Sequence, residues 1–351
     1  MLLVGSNDGV YRLEDVFGGT ESPVGKVLDS GSVMRLRRFR DVDGVFAATR
    51  SGLYHSPTGD TWQALGVPTD HVYSVGAAPE RDRLYAGTRP ARVFEADLRS
   101  GGGLSGAGGG DGPDDSGPGT LEWRELEGFQ DLPSRDDWRL PRHENVAQVR
   151  DVHVHPATPD RLVAGVEVGG VHVSEDGGET WTERRGEGED TLHDDVHELV
   201  LVGPDEFVAA TGYGLFRSTD AGRSWTRLDE GFEQRYFRSA LAHDDAVFAG
   251  AALAHTATWV EDDADPALFV FRPGEGLRQV EHPRPDETVT GLTAVDDGLV
   301  AGTHVGTLLA APDGEEWAVA GSFPVPGKEP VSYTPLVAAP SSGDEGNASG
   351  P

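Results

Sequence analysis

Glu167, in the stretch GVEVGGV, is a carboxylate at a position where a short strand connection ordinarily carries a small or polar residue. Asp195 and His197, in LHDDVHELV, are spaced to share one face of a strand. Tyr236 opens the alternating run YFRSALAH, with Arg238 two residues on. Glycoside hydrolysis needs two carboxylates flanking a bond, or a tyrosine as nucleophile, so Glu167, Asp195 and Tyr236 are the candidate catalytic set. Arg50, Arg89, Arg92 and Arg238 are candidate clamps for an anionic group, because a guanidinium grips a carboxylate with two parallel hydrogen bonds. His197, Tyr213 and His304 complete the candidate ligand-binding set, together with Trp138 and Trp259. These two tryptophans sit in the long loops QDLPSRDDWRLPRHEN and LAHTATWVEDDADP and suit stacking on a sugar or another planar ligand.

Each of these residues also has a plainer role. The arginines pair readily with carboxylates in so acidic a chain, and a loop tryptophan often anchors only its own loop. An ionised carboxylate among arginines suits ligand clamping better than proton donation, which requires a raised pKa. A metal site built from Glu167, His193, Asp195 and His197 fits no sharp ligand spacing, so no metal or cofactor is expected.

What brings these residues together is a repeat. VSEDGGETWTERR (Val173 to Arg185) and RSTDAGRSWTRL (Arg217 to Leu228) share the pattern Ser-x-Asp-x-Gly-x-(Thr/Ser)-Trp. In the first copy these are Ser174, Asp176, Gly178 and Trp181; in the second, Ser218, Asp220, Gly222 and Trp225. Apolar alternation and small-residue turns precede each copy, and looser copies begin at Gly44 and Asp297. Three fainter ones include the N-terminal LLVGSNDGVYRLEDV, giving seven units about 45 residues apart, the period of a four-stranded propeller blade. No stretch has the periodicity of an amphipathic helix.

The first unit lacks a leading strand, while PVSYTPLVAAP is left over after the seventh. Pairing that segment with the N-terminal strands closes the ring and removes an open sheet edge. The expected fold is therefore all-β: one seven-bladed propeller over residues 1–339. Residues 99–120, rich in Gly, Pro, Asp and Ser, read as a disordered insertion, and 340–351 as a disordered tail.

The repeated turn has a structural logic. Serine and aspartate side chains accept hydrogen bonds from turn N–H groups, glycine supplies a backbone state closed to other residues, and tryptophan wedges between sheets. Trp62, Trp123, Trp181, Trp225 and Trp317 all fall at this one position. The pattern resembles the Asp-box, or BNR, repeat of the sialidase-like and WD40/YVTN-like propellers. Sialidases, some endoglucanases, sortilin-type receptors and photosystem II assembly-factor propellers share that repeat. The resemblance implies the propeller fold and leaves the activity open. A sialidase is not expected, because MRLRRFRDV does not supply the aromatic-Arg-Ile-Pro motif and the arginine triad cannot be carried over.

Composition narrows the setting. The 351 residues carry 60 acidic side chains against 29 lysines and arginines, a net charge of -31, and only Lys26 and Lys328 are lysine. Acidic residues scattered along the whole chain resemble proteins of salt-accumulating, haloarchaeal-type cytoplasms, where concentrated salt screens self-repulsion. Duplex nucleic acid, which demands basic phosphate contacts, is not expected as a ligand. Cysteine is absent, the N-terminus reads as no signal peptide, and no run approaches a membrane span. A cytoplasmic monomer is expected, binding a small molecule, a glycan or a protein where the turns between second and third strands meet the interblade loops. A glycoside hydrolase is the alternative.

Overall fold

The computed structural model describes residues 1–14, 16, 24–100, 104, 120–140, 144–185, 194–259, 264–296, 298–312, 314–327 and 333–339. These form seven four-stranded antiparallel sheets, the blades of a propeller. Among the described residues the only helical pieces are single 3-10 turns. The insertion expected at 99–120, apart from residues 99, 100, 104 and 120, lies outside the described residues, as does the tail from 340.

Blade one is built from both ends of the chain. Its inner strand is Leu336–Ala338, followed outward by Leu2–Ser6, Gly9–Leu13 and Val24–Leu28. The closing register pairs Leu336 with Val4, Val337 with Leu3 and Ala338 with Leu2, and Gly5 N–H donates to Pro335 O at 2.8 Å. In blades two to seven the inner strands are Val33–Phe39, Val72–Ala78, Val149–His155, Val196–Leu201, Tyr236–His243 and Val289–Val295. All line the channel. Each runs from the end bearing the turns between second and third strands to the end bearing the Ser-Asp turns.

Burial explains the strand patterns. Second strands such as Phe207–Thr211 and Ala246–Ala252 are buried at every residue, because both faces of a blade pack against neighbours. The core is thus a ring of separate apolar layers, one between each pair of adjacent blades. Between blades two and three, for example, Phe46, Leu53 and Leu65 meet Val72, Val75 and Leu84. Inner strands approach so closely where the ring closes that a Cβ on Gly291 would overlap Thr334 O.

The repeated turns hold the outer rim. Ser174 Oγ accepts from Gly178 N–H and donates to Asp176 Oδ1, both at 2.8 Å, and Asp176 Oδ1 accepts from Thr180 N–H at 2.9 Å. Ser218, Asp220, Gly222 and Ser224 repeat this pattern. Gly178 and Gly222 have φ of 96° and 81°, the left-handed region that favours glycine. The tryptophans reach across blades: Trp123 Nε1 donates to Leu65 O at 2.8 Å, and Trp225 Nε1 to Arg184 O at 3.4 Å. Trp181 packs edge-on to Phe129 with ring centroids 4.9 Å apart.

Candidate functional site

One irregularity recurs in the inner strands of blades two to seven. The register skips the second residue, or its equivalent, in each: Met34, Tyr73, Arg150, His197, Arg238 and Thr290. A bulge bends the strand and re-aims the extra side chain, and such bulges are common beside sites. Here they gather side chains at one end of the channel. Tyr333, from the closing segment, sits beneath two of the arginines, with Arg238 4.0 Å and Arg150 4.4 Å from its ring centroid. Tyr73 meets the Tyr333 ring edge-on, and Thr290 bonds Thr334 hydroxyl to hydroxyl at 2.7 Å.

Beside this ring stand several of the residues expected from the sequence. Glu167 follows the second strand of blade four, Asp195 precedes the inner strand of blade five, and His197 is that strand's bulge residue. One ligand atom from each of the three lies within 4.8 Å of the others. Arg150 Nε is 2.8 Å from Glu167 Oε2, an ion pair with its N–H off the hydrogen-bond line, and Gln148 Nε2 donates to the same oxygen. The Tyr236 ring lies 4.5 Å from that of His197. Arg238 is buried in the same group.

Burial and charge set the protonation states. Burial alone would raise the Glu167 carboxyl, but neighbouring cations, Arg150 foremost, hold it at about 2. Burial, with Arg238 next in weight, pushes His197 down to about 3, so its imidazole is neutral at pH 7. Burial raises the Tyr236 phenol, which stays protonated. Burial and the nearby Arg150 bring Arg238 down to about 10, still a cation at neutral pH. This group therefore contains two arginines, a carboxylate and a neutral imidazole, and Glu167 is no proton donor.

The next residue along the inner strands makes a second layer. Arg35 of blade two reaches Asp151 of blade four at 3.0 Å and Glu198 of blade five at 2.5 Å. Arg37 Nη2 donates to Asp151 Oδ1 at 2.8 Å, and Asp151 Oδ2 accepts from Leu199 N–H at 2.8 Å. Asp151 is wholly buried, yet Arg35, foremost among its neighbours, keeps its carboxyl below the usual carboxylate range. Burial raises the Glu198 carboxyl instead.

A cavity of about 440 Å³ lies against this layer. Its walls include Arg35, Arg37, Arg38, Arg238, His153, His155 and Glu198, with Leu36, Leu199 and Leu292 as apolar patches. Its lining runs from the bulge residues His197 and Arg238 to His155, Pro156, Leu201 and Ala242 at the far ends of the inner strands. The sequence placed the pocket at the opposite end, among the turns between second and third strands. That end of the channel is instead filled by the bulge side chains: Tyr73 and Arg238 are buried, and Arg150 and His197 are 3% and 1% exposed.

Of the other expected ligand-binding residues, Trp259 touches the first group, through the Tyr236 ring. Trp138 is 2% exposed: its indole N–H donates to Ser134 Oγ and its ring packs on Phe129 and His172. Trp259 is equally buried, between Tyr236 and His304, with Nε1 donating to Ala254 O. Both tryptophans fill their own loops and present no free face for stacking. His304 is buried, and its Nδ1 accepts from Thr288 N–H. Arg89 pairs with Glu144 and Arg92 with Glu125, around blade three, and neither of these ion pairs reaches Glu167. Arg50 and Tyr213 sit exposed on their turns. His193 lies outside the described residues. Sequence reasoning missed Arg35, Arg37, Asp151, Glu198 and the bulge ring as a group. Superposing the six inner strands on one another was the signal that aligns them.

Fold and channel thus define a seven-bladed β-propeller with a charged axial channel. No family model and no curated protein matches the chain. Among solved structures it is similar to a GH74 xyloglucanase from Xanthomonas campestris, at TM-score 0.54 and 18% identity, covering 88% of this chain and 46% of that one. The GH74 enzyme of Niastella koreensis gives TM-score 0.57 and 12% identity over the same shares. YCF48 bound to a D1 peptide gives TM-score 0.53 and 13% identity, covering 83% of this chain and 82% of that one. The chain spans less than half the length of the two hydrolases. At these identities the likeness is one of fold.

Proposed function

We propose that this propeller is a non-catalytic binding module that takes an anionic ligand in its channel. One observation carries the reading: in a chain with 60 acidic residues against 29 basic, Arg35, Arg37, Arg38 and Arg238 line a single cavity. Guanidinium groups in a partly apolar cavity bind carboxylate or phosphate strongly, because water screens them less there. Leu36, Leu199 and Leu292 suit an aliphatic body behind the anionic head. The similarity to YCF48, solved with a bound peptide, supports a binding role for a fold of this kind. We place the chain among the Asp-box (BNR) propellers, on the strength of its two full repeat turns, and in a salt-rich cytoplasm, on the strength of its charge. A monomer is the simplest state of a closed ring.

A glycoside hydrolase is the second reading, favoured by Glu198, the cavity carboxyl whose proton affinity burial raises. Asp151, the carboxylate that shares Arg35 with it, has both oxygens engaged by Arg37 and Leu199 N–H, which leaves little room for base or nucleophile work.

Thermal-shift and calorimetric titration in KCl tests the choice, with citrate, aliphatic carboxylates, an acidic peptide and a neutral xyloglucan oligosaccharide as probes. The binding reading expects an anion to raise the melting midpoint, and Arg38→Gln with Arg37→Gln to abolish the shift. Turnover of aryl glycosides that disappears in Glu198→Gln would replace it with the hydrolase.

A further inference from the structure

We propose that Glu167, Asp195 and His197 form a site for a divalent transition-metal ion of the zinc type. The site stands on geometry independent of the arginine-lined cavity and goes beyond the anion-binding reading. His197 Nδ1 lies 2.8 Å from Phe237 O. A carbonyl only accepts, so Nδ1 carries the hydrogen and Nε2 presents a lone pair. The side chain is wholly buried, yet Nε2 has no hydrogen-bond partner. It faces Asp195 Oδ1 at 3.8 Å, another acceptor, and a Glu167 oxygen completes the group within 4.8 Å. The lone pair of His197 Nε2, buried without a donor, is turned toward two carboxylates, the place a cation would occupy.

The surroundings match a metal site more closely than a packing accident. A ligating histidine ordinarily donates its other ring N–H to a backbone carbonyl or carboxylate, which fixes its orientation, and the bond to Phe237 O does so here. Ligating carboxylates are themselves held by outer partners, as Arg150 and Gln148 hold Glu167. A Cβ on Gly212 would collide with Asp195 Oδ2, so glycine at that turn admits the carboxylate. One imidazole and two carboxylates are borderline-to-hard ligands, a set that suits zinc and its neighbours and leaves a fourth position open. Tetrahedral ligands about 2.1 Å from zinc stand roughly 3.4 Å apart, so small side-chain rotations close the present spacing. Arg150 and Arg238 offset the carboxylates' charge and hold the affinity below that of an all-acidic site.

The test uses the full chain, stripped with EDTA and dialysed into KCl buffer, then titrated with ZnCl2 by calorimetry and with CoCl2 by visible absorption. One saturable equivalent, cobalt d–d bands of a nitrogen–oxygen site and a rise in melting midpoint are expected. Asp195→Asn and His197→Gln should each weaken binding about tenfold or more. The exposed control Asp29→Asn should leave it unchanged. Asp195 is half-buried, so its variant reads the site even where the His197 variant folds poorly. No saturable equivalent in the wild type would overturn the proposal, as would equal binding by Asp195→Asn. So would an NMR signature of an Nε2-protonated His197 ring at neutral pH.

Discussion

Asp151→Asn tests whether the charged layer holds the channel together. Asp151 is wholly buried, with Oδ1 serving Arg37 at 2.8 Å and Arg35 at 3.0 Å and Oδ2 accepting from Leu199 N–H. An amide in its place leaves the two arginines with Glu198 as their remaining anion and turns an NH2 toward one of these donors. Removing one partner of a buried ion pair costs about 3–5 kcal/mol. At about 2.1 cal/mol/K per residue, 351 residues unfold with an entropy near 0.7 kcal/mol/K, so that cost lowers the midpoint by about 4–7 °C. Calorimetry in fixed KCl measures it, with circular dichroism to show that the variant is folded. The pH dependence has a definite sign. The folded carboxyl lies below its unfolded value, so its contribution is full above about pH 4 and declines as pH falls further. Asp151→Asn should therefore show a flatter acid limb than the wild type. Glu198→Gln should cost less, because burial already favours the protonated form of that side chain. A midpoint within 1 °C of wild type for Asp151→Asn, or an unchanged acid limb, would refute the reasoning.

With a net charge of -31, thermal midpoints should climb steeply from low to multimolar KCl, and a flat response would contradict the salt-adapted reading. Ending the chain at Gly327 removes the strand paired with Leu2–Val4 and should abolish cooperative unfolding; an intact sharp transition would show that the ring does not depend on its closure. Ser174→Ala leaves the turn N–H of Gly178 without its acceptor and should cost about 1 kcal/mol by urea denaturation, with ligand binding in the channel unaffected. Glu167 and Asp220 are both held at about 2, so stability measured by urea titration should fall between about pH 4 and pH 2, and Glu167→Gln should remove part of that fall.

Much of the fold was legible because it repeats. The Ser-Asp-Gly-Trp turns recur at one spacing, and a turn is a local object: Ser174 and Asp176 bond N–H groups within four residues of themselves. The closing strand followed from counting, since a unit short of one strand and a strand short of a unit complete each other. The convergence of Glu167, Asp195, His197 and Tyr236 followed from blade geometry, which carries equivalent turns to one end of the ring. The roles imagined for Trp138 and Trp259 did not follow. A loop that can fold back and bury its own indole does so, and both rings are covered by neighbours their loops bring with them.

The sequence by itself determined that strands of period two, turns of fixed chemistry and seven repeats would close into a ring, because each of those features acts over a few residues or over one blade. Tertiary structure alone decided which end of the channel is filled and which is open. A bulge at one position of each inner strand turns Tyr73, Arg150, His197 and Arg238 inward, and ring closure sets Arg35 opposite Asp151 and Glu198. Those partners lie more than a hundred residues apart, and the energy that pairs them arises only once burial has lowered the dielectric around them.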